Sequence, residues 1–305
     1  MRLQDKLVPY LEYCTYRKEL DQKTVKAYRI DLRQYFAFVA SEDPDKEKIE
    51  EYITELHKKY KQKTVKRKIA SVKAYYSYLE EEEVIKENPF RKIKVKFKET
   101  LILPRIISRE EIEHVLNHMY SCLQLATEAA YKYCLRDVAV IELFFATGAR
   151  VYEISNIRAE NVNLNTGLIR FMGKGAKERY IQIGSASVLD ILRKYYTENR
   201  TAIKQSGYFF INGRGNRYTE QSIRLMLKKY TSQAGIERNI TPHMFRHSFA
   251  TYMIEEGVDI SCVQQILGHA SIKTTQIYIH VAARKQAEIL RAMHPRNHMK
   301  IIGAA

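Results

Sequence analysis

The 305-residue sequence contains no apolar run near the roughly 18 residues that a membrane span requires. Its most apolar stretch, Val138–Ala146, is interrupted by Glu142. The N-terminus, MRLQDKLVPYLEY, has neither the apolar h-region nor the small-residue cleavage site of a signal peptide. Cysteine is scarce. Cys14, Cys122, Cys134 and Cys262 show no CxxC pairing and no zinc-ligand spacing, so they read as reduced thiols of a cytoplasmic protein. The motifs of phosphate-binding loops and HExxH metalloenzymes are also missing, and no clustered carboxylates offer a two-metal site. No cofactor or metal is expected. Acidic residues are in deficit, with 35 Asp and Glu against 51 Lys and Arg, for a net charge of +16. Because 45% of residues are hydrophobic, this is a folded basic protein rather than a charged tail. Such a surface favours a polyanion, nucleic acid ahead of an anionic membrane.

The length suggests about two domains. Residues 1–85 read as four helices. The first covers about Leu3–Glu19 and the second begins near Gln22 with Val25, Tyr28, Leu32, Tyr35, Phe36 and Val39 on one face. The third spans about Lys48–His57 and the fourth Thr64–Leu79, where Val65, Ile69, Val72, Tyr75, Tyr76 and Leu79 point inward. The tyrosine stripe is read as core. Between His57 and Lys73, eight lysines and arginines occur without one acid. Like charges on a helix repel, and phosphates would relieve that repulsion. Lys63, Lys66, Arg67 and Lys68 are therefore candidate DNA contacts.

Asn88-Pro89 ends this domain. RKIKVKFK at 91–98 then alternates basic and apolar residues. It reads either as a lysine-protected edge strand or as an extended linker lying along DNA. The expected organisation is an N-terminal helical domain at 1–88, a basic linker at 89–106 and a second domain at 107–305.

Ser108 and Glu111 form a capping-box pattern at the start of the second domain. His118–Lys132 reads as an extended helix or an inserted turn. Val138–Ala146 is apolar all round and therefore buried. Thr147-Gly148-Ala149-Arg150 follows, placing an arginine at a helix start after a glycine turn, with Glu153 three residues on to orient it. Turn residues and alternation over 161–183 predict a small three-stranded antiparallel sheet. Helices are expected near Ala186–Asn199 and Thr219–Ala234. The latter carries Arg224, Lys228 and Lys229 and is a candidate groove reader.

The densest chemistry lies at 241–278, TPHMFRHSFATYMIEEGVDISCVQQILGHASIKTTQIY. His243 and Arg246 share a helical face. A second helical run, Ile260–Leu267, stops at Gly268-His269, and Tyr278 follows. Arginine forks onto non-bridging phosphate oxygens, histidine moves protons and a phenol can attack phosphorus. Singly, each of these residues has an ordinary packing explanation.

Together, HxxRH at 243–247, LGH at 267–269 and TTxxY at 274–278 resemble the second signature box of the tyrosine recombinase (phage integrase) family. ATGARVYEI at 146–154 resembles its first box, with Ala149 and Ile154 as mild variations. GKGAKER at 173–179 resembles the hairpin bearing the family's catalytic lysine. The resemblance implies a mainly α fold with a small antiparallel sheet, in which an N-terminal four-helix core-binding domain and an α+β catalytic domain clamp DNA. It implies Tyr278 as nucleophile, Arg150 and Arg246 bracketing the phosphate, and Lys174 as general acid. His243 would be the general base and His269 a phosphate ligand. Lys177 is a second lysine candidate and would otherwise hold a phosphate. The chemistry implied is cutting and rejoining of DNA through a 3′-phosphotyrosyl intermediate, without ATP or metal. The partners implied are double-stranded DNA with inverted-repeat core sites and a homotetramer on two duplexes, monomeric in free solution. Val281–Met293 would be a helix docking on a neighbouring protomer or on its own domain. The four-helix start resembles Xer-type recombinases or simple enzymes of mobile elements. The alternative is a DNA-binding regulator on the same scaffold that does not cut.

Overall fold

The computed structural model describes residues 3–39, 46–93, 95, 97, 105–173, 178–268 and 291. The chain divides into two compact units, Met1–Thr100 and Leu101–Ala305.

In the first unit, a 3-10 turn at Leu3–Lys6 leads into α1 (Leu7–Tyr16), α2 (Gln22–Val39), α3 (Lys46–Lys59) and α4 (Gln62–Glu81). Each helix forms because apolar residues recur at threes and fours and must be buried together. On α1 these are Leu7, Tyr10, Leu11 and Cys14; on α4 they include Val65, Ile69, Val72, Tyr75, Tyr76 and Leu79. The tyrosine stripe is core, as expected. Tyr10, Tyr35, Tyr75 and Tyr76 are almost fully buried. Buried phenols need hydrogen-bond partners: the Tyr35 and Tyr76 hydroxyls bond each other at 2.8 Å, and Tyr75 donates to the Leu3 carbonyl. The first helix is shorter than expected, because the chain turns at Arg17 and Glu19 adopts a left-handed φ of 47°.

The edge-strand reading of 91–98 does not hold for its described residues. Pro89–Arg91 is a 3-10 turn, and Ile93, Val95 and Phe97 pack without strand pairing against the helical core of this unit. Burial of the apolar members of the alternation, rather than sheet formation, explains the period of two.

The second unit is built on α6 (Glu128–Thr147), which packs against α5 (Arg109–Gln124), α7 (Val151–Asn156), α8 (Ala186–Ser206) and α10 (Pro242–Glu255). Residues Leu135–Ile141, Leu143 and Phe144 of α6 are buried, as its largely apolar sequence requires, and Glu142 between them is half-buried, its carboxylate accepting from the Tyr120 hydroxyl at 2.6 Å. The Ser108 capping box is present. Its hydroxyl accepts from the Glu111 N–H at 3.2 Å, and the Glu111 carboxylate accepts from the Ser108 N–H at 2.8 Å. Segment 118–132 is not one extended helix: it is the end of α5, a turn at Leu125–Thr127 and the first turn of α6.

Strands β1 (Val162–Asn163), β2 (Leu168–Met172) and β3 (Glu178–Gln182) form one antiparallel sheet in sequential order. The β2–β3 register sets Ile169 opposite Ile181 and Phe171 opposite Arg179. Helix α9 (Glu220–Gln233) is capped by Thr219, and α11 (Ile260–Leu267) by Asp259. The class is the expected one, mainly α with a small antiparallel sheet. Lys174, Lys177, His269, Tyr278, the expected helix Val281–Met293 (Arg291 apart) and the tail lie outside the described residues.

Candidate active site

Two glycines bring the arginines of both motif boxes to one place. Helix α6 ends at Gly148 with a left-handed φ of 58°. A Cβ here would lie 2.6 Å from Phe249 Cδ1 of α10 and 2.8 Å from Leu267 Cδ2 of α11. Only glycine supplies both the backbone turn and the close approach of those helices. Gly268 ends α11 in the same conformation, with φ 63°.

Arg150 occupies the N-cap of α7, two residues past Gly148. Its Nη1 donates to Glu153 Oε1 at 3.0 Å, its backbone N–H to Glu153 Oε2 at 2.6 Å, and its Nη2 to the Gly268 carbonyl at 3.2 Å. About a third of its side chain is exposed. Arg246, on α10, is only 5% exposed. Its Nη1 donates to the Gly148 carbonyl at 2.8 Å and its Nη2 to the Leu267 carbonyl at 2.6 Å.

The two guanidiniums thus hold consecutive carbonyls, Leu267 and Gly268, at the C-terminal end of α11. Arg246 also holds a carbonyl at the end of α6. Helix C-termini carry partial negative charge, which offsets the cost of burying a cation. Backbone dipoles and one carboxylate thus offset the cost of concentrating two positive charges at this corner.

That carboxylate is Glu153, whose side chain is 1% exposed. Burial pushes its pKa up. Hydrogen bonds and charge from Arg179 and Arg150 outweigh this and hold it below the ordinary glutamate range. Arg179 Nη2 donates to Glu153 Oε2 at 2.8 Å, and Nη1 bonds Oε1. His243 is exposed one turn before Arg246. His247 is half-buried; burial, then the charges of His243 and Arg246, depress its pKa and favour the neutral imidazole.

Of the six expected active-site residues, the structure describes Arg150, His243 and Arg246, and it joins the two arginines through the α11 terminus. Arg179 was not singled out from sequence. A signal was present: Ile181 is the inward residue of β3, with buried Ile183 just past its end, and a period of two puts Arg179 on that same side.

Among the expected DNA contacts, Lys63 is exposed at the start of α4, and Lys66 sits over the Phe97 ring at 5.0 Å. Lys68 requires correction. It is 3% exposed, its Nζ lies 3.0 Å from Asp31 of α2, and it also bonds Gln34. The balancing acid absent from its own segment comes from another helix. Arg67 pairs with the same Asp31 but keeps nearly half its side chain in solvent. On α9, Arg224 pairs with Glu220 at 2.9 Å while remaining exposed, and Lys228 is exposed.

Comparison with known proteins decides the family. Residues 105–285 match the phage integrase family and residues 7–83 match the phage integrase N-terminal SAM-like domain. A tyrosine recombinase of Agathobacter rectalis is 47% identical over 298 residues, covering 96% of this chain and 97% of that one.

This chain belongs to the phage integrase family of tyrosine recombinases.

The recombinase is also 32% identical over 306 residues to the tyrosine recombinase XerD of Listeria innocua, covering 96% of this chain and all of that one. Its fold is similar to that of the XerH site-specific recombinase solved with palindromic difH substrate in a post-cleavage complex. The TM-score there is 0.74 at 22% identity, over 92% of this chain and 83% of that one. The protein is a site-specific DNA recombinase that cuts and rejoins DNA strands. Among the described residues no helix is long and apolar enough to cross a membrane.

Proposed function

We propose that this recombinase cuts each strand with Tyr278, forming a 3′-phosphotyrosyl ester and freeing a 5′-hydroxyl. The observation that supports the reading best is the convergence of Arg150 and Arg246 on the carbonyls of Leu267 and Gly268. That turn precedes His269 directly in the sequence and lies shortly before Tyr278. Two guanidiniums there would bracket the non-bridging oxygens and stabilise the charge of a pentacoordinate transition state. They would also lower the pKa of the approaching phenol, which is near 10 in water. His243 accepts the phenolic proton, Lys174 protonates the departing 5′-oxygen and His269 bonds a phosphate oxygen. The ester preserves the energy of the broken bond, so a partner strand's 5′-hydroxyl can reverse the step without nucleotide hydrolysis.

The domain at 1–88 and the catalytic domain at 107–305 would contact one duplex, with the basic segment 89–106 between them. Exposed Lys63, together with Lys66, Arg67, Arg224 and Lys228, would contribute phosphate or groove contacts. The substrate would be double-stranded DNA with inverted-repeat core sites, and four protomers would bring two duplexes together. Such a reaction serves chromosome-dimer resolution or the movement of a mobile element in the cytoplasm.

The test is a suicide duplex nicked near the cleavage point, resolved on a denaturing gel. Wild-type protein should form a covalent adduct, and Tyr278→Phe should form none while binding DNA normally. A wild type that binds the site without any adduct would identify a non-cutting regulator.

A further inference from the structure

Arg179 stands at the meeting of three segments that the sequence keeps apart. It is the second residue of β3, five residues after Lys174. It lies opposite Phe171 across the β2–β3 ladder, and its guanidinium packs over that ring at 4.9 Å. Its Cδ lies 3.1 Å from where a Cβ on Gly268 would stand, against the turn whose carbonyl Arg150 holds. Its side chain is 10% exposed and forks onto Glu153 through both terminal nitrogens. Its Nε is buried without a hydrogen-bond partner among the described residues.

Charge counting shows what such an arginine does. Glu153 alone would aim Arg150 well, because it grips both the backbone N–H and Nη1. A one-to-one pair, however, has no net charge, and its carboxylate would repel the phosphate that Arg150 is to bind. With Arg179 forked onto the same carboxylate, the three groups carry a net +1, and Arg150 is the more exposed of the two arginines. The third charge also holds the carboxylate in place, since two fork contacts fix its plane.

We propose that Arg179 is a positioning residue for strand cleavage. It takes up the charge of Glu153 so that this carboxylate aims Arg150 without cancelling it, and it ties the hairpin that carries Lys174 to the start of α7. The inference rests on the reading that Arg150 binds the scissile phosphate.

The experiment measures single-turnover cleavage of the suicide duplex, recording rate and amplitude separately. Arg179→Met keeps the aliphatic length and removes the fork. It should slow cleavage about 10–100-fold, the usual scale for residues that orient a reacting group through another, with amplitude and gel-shift affinity close to wild type. Arg179→Lys, a point charge without a fork, should fall between Met and wild type. In a Glu153→Gln background there is no carboxylate charge to take up, so adding Arg179→Met should cost less than about threefold further. Arg150→Lys is the control for the underlying reading, and wild-type cleavage by it would reject that reading by itself. If Arg150→Lys cleaves slowly, three results would overturn the role of Arg179. These are a wild-type rate in Arg179→Met, a loss of amplitude with unchanged rate, or an equal rate loss with and without the Glu153 charge. Should Arg179→Met fail to fold, Arg179→Lys decides: wild-type cleavage by it overturns the forked contact.

Discussion

Gly148→Ala is the sharpest single-atom test of the site. The added methyl would stand 2.6 Å from Phe249 Cδ1 and 2.8 Å from Leu267 Cδ2. Carbon atoms pack at about 3.5–4.0 Å, so both helices must retreat by roughly 1 Å. Overpacking of this kind costs about 1–3 kcal/mol, and the left-handed φ of 58° adds about 1–2 kcal/mol for a residue with a Cβ. The expected loss is thus about 2–5 kcal/mol. It should exceed that of an ordinary helix-cap change because Phe249 and Leu267 belong to the small core of α10 and α11. Cleavage should fall as well, since the Leu267 carbonyl that Arg246 holds moves with its side chain. The chain has no tryptophan, so urea unfolding is followed by far-ultraviolet circular dichroism, alongside suicide-substrate cleavage below the transition. A stability loss under about 1 kcal/mol with wild-type cleavage would refute the account of this corner.

Three further outcomes are expected. Asp31→Asn should destabilise the protein by about 3–5 kcal/mol, because it leaves the buried Lys68 ammonium without its carboxylate; Asp31→Asn with Lys68→Met should recover most of that in the same urea experiment. Lys63→Ala should lower the slope of log affinity against log salt by about 0.9, whereas Lys68→Met should leave it unchanged; gel-shift titrations at several salt concentrations separate the two lysines. Lys174→Ala should slow cleavage by about 10²–10⁴, and a substrate with sulfur at the 5′-bridging position should restore the rate because its leaving group needs no proton. Rescue of Lys177→Ala instead would reassign the general acid.

Much of this protein was legible along the chain because its signals are local. Residues at threes and fours specify the faces of α1–α4, Ser108 and Glu111 a cap, and Gly148 and Gly268 the helix stops. The order of the boxes points to the family. The extent of elements was less legible. The helical pattern runs to about Glu19, yet the backbone turns left-handed there. The alternation of 91–98 admits an edge strand or an extended linker, and a period of two also serves a segment laid against a core.

The sequence by itself determined which candidate groups are on offer: two arginines, histidines, a lysine in a glycine-rich segment and a tyrosine. Only tertiary structure decided which charges are spent and on what. Lys68 is paired with Asp31, 37 residues away, and buried from solvent. Arg179 reaches Glu153 across 26 residues, and Arg246 reaches the Gly148 carbonyl across 98. Periodicity reports which way a side chain points from its own element. An ion pair or a buried fork also depends on which element packs opposite, and that is settled only when the helices come together.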